Sequence, residues 1–263
     1  MAMLVGVIHL PALPGSPRGT LSAAECARSA ANDARVLADA GYDAIIVENF
    51  GDAPFFATKV PAVTIAAMTA CAVAVRAAAP DVSLGINVLR NDGEAALSIA
   101  VCTQASFVRI NVLTGARVTD QGIVEGDAAH TLRLRRSLFA ESVAIWADVD
   151  VKHSSPLGAP RPLVQEVEDL TKRGMADVVL VTGEGTGKGV DLEKLAAVKR
   201  ASGKPVLVAS GATLASLAAL ASSSDGVVVG SALRHGNLPG GPVDAALAVE
   251  FASAFRAAFG ALA

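Results

Sequence analysis

Eight short runs of almost unbroken apolar, mostly β-branched residues recur along the chain, over residues 4–9, 44–48, 83–88, 107–111, 144–149, 178–181, 206–209 and 226–229. Strands covered on both faces need this pattern, because neither face meets water. Each run leads through a loop into a longer, Ala-rich stretch of helical period, over 22–40, 63–79, 92–102, 128–139, 163–173, 192–201, 214–221 and 243–259. Cap signals stand where the helices should begin: Ser22 three residues before Glu25, Asp191 before Leu192 and Thr213 before Leu214. Gly41 and Gly174 stand where helices should end. Strand and helix in strict alternation over this length predict a single α/β domain, residues 1–263, folded as one (β/α)8 TIM barrel. A doubly wound open sheet is the alternative the same alternation allows.

The connections are unequal. Those from helix to strand are short (41–43, 174–177, 222–225), whereas those from strand to helix are long (49–62, 112–127, 150–162). In a barrel all the long ones emerge at the carboxyl ends of the strands, the face that carries barrel active sites. The chain has placed its extra length on one rim.

Composition narrows the picture. With 52% hydrophobic and 18% charged residues among 263, the chain has ample material for a core, and intrinsic disorder is excluded. A net charge of −3 gives no general electrostatic attraction for nucleic acid. Cys26, Cys71 and Cys102 lie in helical stretches without metal-ligand spacing, as expected of reduced core or partly buried thiols in a cytoplasmic protein. The first fourteen residues make a poor signal peptide, and no apolar stretch is long enough for a transmembrane segment.

Candidate chemistry collects at the strand ends. Glycine-rich segments follow the last three strands: Thr182-Gly183-Glu184-Gly185-Thr186-Gly187-Lys188-Gly189, Ser210-Gly211-Ala212-Thr213 and Gly230-Ser231-Ala232. Glycine lets backbone N–H groups approach an anion, so Gly211, Gly230 and Ser231 are candidate phosphate ligands, with Thr186 or Lys188 closing over the group. The sixth loop matches neither a P-loop nor a dinucleotide fingerprint, so no Walker-type ATP site or NAD site is supported.

After the fifth strand, Asp148, Asp150, Lys152 and His153 fall within six residues. Alternation puts Asp148 and Asp150 on one side if the strand runs that far. These groups suit acid–base work, a Schiff-base amine, or a divalent metal held by Asp148, Asp150 and His153. His9, Glu48, Asn49, Asn87, Arg109 and Asn111 occupy other strand ends. Asn49, Asn87 and Asn111 suit ligand hydroxyls. Arg109 suits either a ligand or a buried ion pair with Glu48 or an aspartate, and His9 either catalysis or a satisfied place in the core. Phe55 and Phe56 could cap a pocket or meet a partner subunit, and the polar loop 111–122 could form a lid.

Several segments together resemble the BtpA/SgcQ family: Val5-Gly6-Val7-Ile8-His9-Leu10-Pro11, Val47-Glu48-Asn49-Phe50-Gly51-Asp52, Gly85-Ile86-Asn87-Val88-Leu89-Arg90-Asn91, Arg109-Ile110-Asn111, Val118-Thr119-Asp120-Gln121-Gly122 and Ala147-Asp148 through Lys152-His153. The resemblance covers nearly the whole chain. It implies a TIM barrel akin to ribulose-phosphate-binding barrels; one branch of that family is associated with photosystem I biogenesis and another with a sugar-catabolic gene neighbourhood. The expectation is a barrel enzyme acting on a small phosphorylated metabolite, with sugar-phosphate isomerase, epimerase, aldolase or lyase chemistry. His9, Glu48, Asp148, Lys152 and His153 are its candidate catalytic groups, and Asn49, Asn87, Arg109, Asn111, Thr186, Gly211, Gly230 and Ser231 its candidate substrate ligands. A non-catalytic assembly factor and a metal-dependent hydrolase are the alternatives. A homo-oligomer is expected, as barrels often pair.

Overall fold

The computed structural model describes residues 2–183 and 189–260. Eight parallel strands close into a barrel: β1 (Met3–His9), β2 (Ala44–Glu48), β3 (Ser83–Asn87), β4 (Phe107–Ile110), β5 (Ala144–Val149), β6 (Val178–Thr182), β7 (Val206–Ser210) and β8 (Gly226–Val229). They pair in chain order, and β8 closes on β1. The helices α1 (Ala23–Asp39), α2 (Ala62–Ala78), α3 (Gly93–Thr103), α4 (Ala128–Ser137), α5 (Leu163–Glu168), α6 (Leu192–Ser202), α7 (Leu217–Ala221) and α8 (Ala245–Gly260) follow the strands in turn. The expected (β/α)8 barrel is the fold observed.

Period two along the strands divides their side chains between two cores. Ile8, Ile45, Val47, Leu84, Ile86 and Val108 face outward and pack under the helices. Val5, Val7, Ala44, Ile46, Phe107, Trp146, Leu180, Leu207, Ala209 and Val228 fill the interior. The Phe107 and Trp146 rings stack at 3.7 Å there. Gly85, the β3 partner of Phe107, is glycine because any β-carbon would overlap that ring. The interior is therefore a packed floor, and any ligand must lie above it.

Local signals mostly hold. Ser22 and Glu25 form a reciprocal capping box, and Asp191 caps α6 by accepting from Glu193 and Lys194. Gly41 has the left-handed φ of +79° expected beyond a helix, but Gly174 has φ of −78° and Met175 takes the left-handed conformation instead. The reason lies just before it: the end of the fifth helix widens into a π-helical turn over Asp169–Arg173. Residues 214–221 divide into a 3-10 turn (Leu214–Ser216) and α7. Cys26 and Cys71 are buried, whereas Cys102 is exposed, on the outer side of α3.

The predicted lid over 111–122 is a hairpin. Ala116–Thr119 pairs with Gly122–Glu125, and Ser154–Pro156 adds a third antiparallel strand from the loop after β5. The signal was present in the alternation around Asp120-Gln121-Gly122, where Gly122 supplies a φ of +97° for the turn. Among the described residues no helix is long and apolar enough to cross a membrane.

Candidate functional site at the barrel mouth

Above the apolar floor the inward-facing positions turn polar one strand after another. Val5 and Val7 give way to His9, Ala44 and Ile46 to Glu48, Gly85 to Asn87, Phe107 to Arg109, and Trp146 to Asp148. Strand pairing sets His9 beside Glu48, Glu48 beside Asn87, and Asn87 beside Arg109.

A cavity opens at this level. His9, Glu48, Phe50, Arg109, Lys152, Ser210, Gly211, Gly230 and Ser231 all line it. Groups predicted from six different loops or strand ends thus meet in one place.

Arg109 forms the ion pair and also lines the cavity. Its Nε and Nη2 donate to the two carboxylate oxygens of Asp148 at 3.1 and 3.0 Å, and its Nη1 lies 4.0 Å from Glu48. Asn111 Nδ2 donates to the same carboxylate at 2.8 Å. The Asp148 side chain is completely buried and carries three donated hydrogen bonds, so it holds Arg109 and Asn111 rather than facing the cavity. The chain of amides has a direction. A carboxylate can only accept, so Asn111 turns its Nδ2 to Asp148 and its Oδ1 to Asn87 Nδ2, 3.2 Å away. Asn49 is similarly occupied, accepting from the Leu89 N–H at 2.7 Å and donating to Asp52 at 3.1 Å. Burial pushes the Asp52 carboxyl above the usual carboxylate range.

Lys152 is fixed by its backbone. Its N–H donates to Thr182 Oγ1 at 3.2 Å and its carbonyl accepts from Arg90 Nη2 at 2.9 Å. Its ammonium reaches toward Ser210 Oγ, 3.5 Å away, at the start of the Gly211 loop. Burial lowers its pKa from the ordinary lysine value; Glu48 opposes this, and Arg109 adds to it. His9 stacks on Phe50 at 4.5 Å between ring centres. Burial, followed by the nearby charges of Arg234, Lys152 and Arg109, holds its pKa well below that of an ordinary histidine. A β-carbon at Gly230 would stand 3.0 Å from His9 Nε2, so a side chain there would press on the ring.

Three expectations need correction. Asp150 does not share a side with Asp148. The strand ends at Val149, Asp150 takes a φ of +54°, and its carboxylate pairs with Arg117 and Lys194 outside the barrel. His153 lies on the exposed loop that follows, where partial burial and the charge of Lys152 lower its pKa. The candidate metal set Asp148, Asp150 and His153 therefore does not converge, and among the described residues no cluster of three or more His, Cys, Asp or Glu has the geometry for a metal. Nor does Phe55 or Phe56 line the cavity: Phe56 is 57% exposed, and the aromatic wall is Phe50. Thr186 and Lys188 lie outside the described residues.

Two contributors carried too little local signal. Thr182 was read only as the start of a glycine-rich run. Arg234, 3% exposed, donates to the carbonyls of Gly230, Gly241 and Val7 at 2.7, 3.0 and 3.1 Å, tying the loop after β8 to β1. Nothing near it in the sequence marks that role.

The fold and site define a (β/α)8-barrel protein whose titratable groups gather at the carboxyl ends of its strands. The chain belongs to the BtpA family, whose model matches residues 1–257. It is 45% identical over 239 residues to the Photosystem I biogenesis protein BtpA of Synechocystis sp., covering 89% of this chain and 82% of that protein. It is 42% identical over 236 residues to an uncharacterized protein of Thermococcus kodakarensis, covering 88% and 87%. Among solved structures it resembles N-(5'-phosphoribosyl)anthranilate isomerase from Pyrococcus furiosus, with a TM-score of 0.57, 14% identity and coverage of 97% and 99%. It also resembles KGPDC from Streptococcus mutans, with a TM-score of 0.59, 14% identity and coverage of 98% and 100%. At that identity the structural likeness speaks for the fold.

Proposed function

We propose that this protein is an enzyme acting on a small phosphorylated metabolite, with its phosphate held by the loops after β7 and β8. The observation that carries this reading is the composition of one cavity. Gly211, Gly230 and Ser231 line it together with His9, Glu48 and Lys152. Loops after the seventh and eighth strands are the common phosphate site of this fold. Lys152, aimed at Ser210, adds a positive charge on that side. Glu48 is 8% exposed, with Arg109 at 4.0 Å as its ion-pair partner, and suits the role of general base. Asp148, Asn49, Asn87 and Asn111 act as positioning residues beneath it. The phosphoribosyl isomerase among the structural neighbours is consistent with sugar-phosphate chemistry at such a mouth.

The test is a thermal-shift screen against sugar phosphates and inorganic phosphate. A ligand at 100 times its Kd adds about 2.7 kcal/mol of stability, a rise of about 5 °C for 263 residues. Ser231→Asp sets a carboxylate against the proposed anion, and should remove that rise without changing the melting point of the free protein. A screen with no shift for any phosphate ends this reading.

The name of the cyanobacterial relative favours a second reading, a non-catalytic assembly factor working through its surface. Lys152→Ala would then leave function intact, and substitution of the exposed Phe56 would impair it. Under the enzyme reading the order is reversed.

A further inference from the structure

The hydrogen-bond pattern around His9 determines what this ring can do. Nδ1 lies 3.1 Å from the backbone N of Gly240. A backbone N–H can only donate, so Nδ1 must carry a lone pair. In a neutral ring the proton is then on Nε2, the atom that faces Gly230 at the cavity wall. Protonating Nδ1 would set two donors against each other.

The surroundings work the same way. Arg234 after β8, Lys152 after β5 and Arg109 on β4 all add positive charge near the ring, against Glu48 on β2, and the Phe50 ring covers one face. His9 is thus built as a donor with no proton to spare and no free lone pair toward the cavity.

We infer that His9 is a fixed, neutral Nε2–H donor to a substrate carbonyl oxygen, and that the substrate is a phosphorylated α-hydroxycarbonyl compound. This rests on the phosphate reading above and narrows it. The Glu48 carboxylate takes the proton from the carbon that bears the hydroxyl. The C–H electron pair becomes the C=C bond of an enediolate, and the carbonyl π pair moves onto oxygen. Glu48 is left as the carboxylic acid, and no oxidant or further reactant is needed. The new oxyanion accepts a hydrogen bond from His9 Nε2–H, with the Lys152 ammonium in the same cavity. Donors aimed at developing negative charge are worth most where water is excluded.

The test is long-range 1H–15N correlation on the full-length labelled protein, with His9 assigned by the signals lost in His9→Gln. Between about pH 8 and about pH 5 the His9 ring should keep an unprotonated Nδ1 and a protonated Nε2. A ring that titrates near the ordinary histidine value, or that carries its proton on Nδ1, overturns the inference even if phosphate binds.

The second arm compares inorganic phosphate with a phosphorylated hydroxamate that mimics the enediolate. The hydroxamate should bind at least tenfold tighter, roughly the value of one well-placed donor. His9→Ala should lose that margin while keeping phosphate binding, and His9→Gln, which retains a donor at the same reach, should restore part of it. An equal margin in wild type and His9→Ala overturns the donor role. If phosphate itself does not bind, the phosphate reading fails, and the substrate assignment falls with it. The tautomer measurement still stands or falls by itself.

Discussion

Removing the Asp148 carboxylate strands a guanidinium inside the barrel. Arg109 is 6% exposed, and two of its nitrogens donate to Asp148. In Asp148→Ala its nearest remaining anion is Glu48, with 4.0 Å between the charged atoms, and Asn111 loses its acceptor as well. Breaking a buried pair by deleting one partner costs about 3–5 kcal/mol, because the survivor keeps its desolvation cost. Unfolding entropy of about 2.1 cal/mol/K per residue gives about 0.55 kcal/mol/K for 263 residues. The melting temperature should therefore fall by about 5–9 °C. Asp150→Ala is the matched control two residues away. Its carboxylate is 40% exposed, and it binds Arg117 and Lys194 at the rim. Solvent screens that carboxylate, but Arg117 behind it is 8% exposed and loses its anion. The loss should therefore exceed that of an exposed pair, about 1 kcal/mol, and stay below that of Asp148→Ala, a fall of more than about 2 °C and less than about 5 °C. Scanning calorimetry of the two variants and wild type at one pH decides the matter. Equal losses, or a larger loss for Asp150→Ala, would refute the division of these aspartates into a buried clamp and a rim contact.

Two further outcomes follow from the same packing. Gly85→Ala pushes a methyl group into the Phe107 ring and should cost about 1–3 kcal/mol; Phe107→Leu in the same chain should restore part of the loss, and an unchanged melting point for the single variant would show that the floor has room. The low pKa of His9 means that the unfolded chain binds a proton the folded chain refuses. That stability is fully present above about pH 6.5 and is lost as pH falls below it, at up to about 1.4 kcal/mol per pH unit. Asp33 and Asp52, whose carboxyls burial pushes upward, act with the opposite sign at the more acid end. In His9→Gln, urea midpoints between about pH 7 and about pH 5 should lose this part of the slope; an unaltered slope would contradict the shift.

Much was legible in the residues alone, because it depends on neighbours in sequence. Buried strands betray themselves by unbroken apolar runs, helices by their period and caps, and the rim that carries the candidate site by the length of the strand-to-helix loops. His9, Glu48, Asn87, Arg109 and Asp148 could be named for the same reason: each is the last inward position of a strand, where an apolar series turns polar. Tertiary structure decided what they do. Asp148 and Asp150 look equivalent in sequence, yet the strand ends between them and sends one into the barrel and the other to its rim. Arg109 and Asp148 are 39 positions apart, and only the β4–β5 register makes them a pair. The direction of the amide chain, the backbone supports of Lys152 and the proton position on His9 come from hydrogen bonds across the barrel. Nothing local encodes those contacts, because closing the barrel is what creates them.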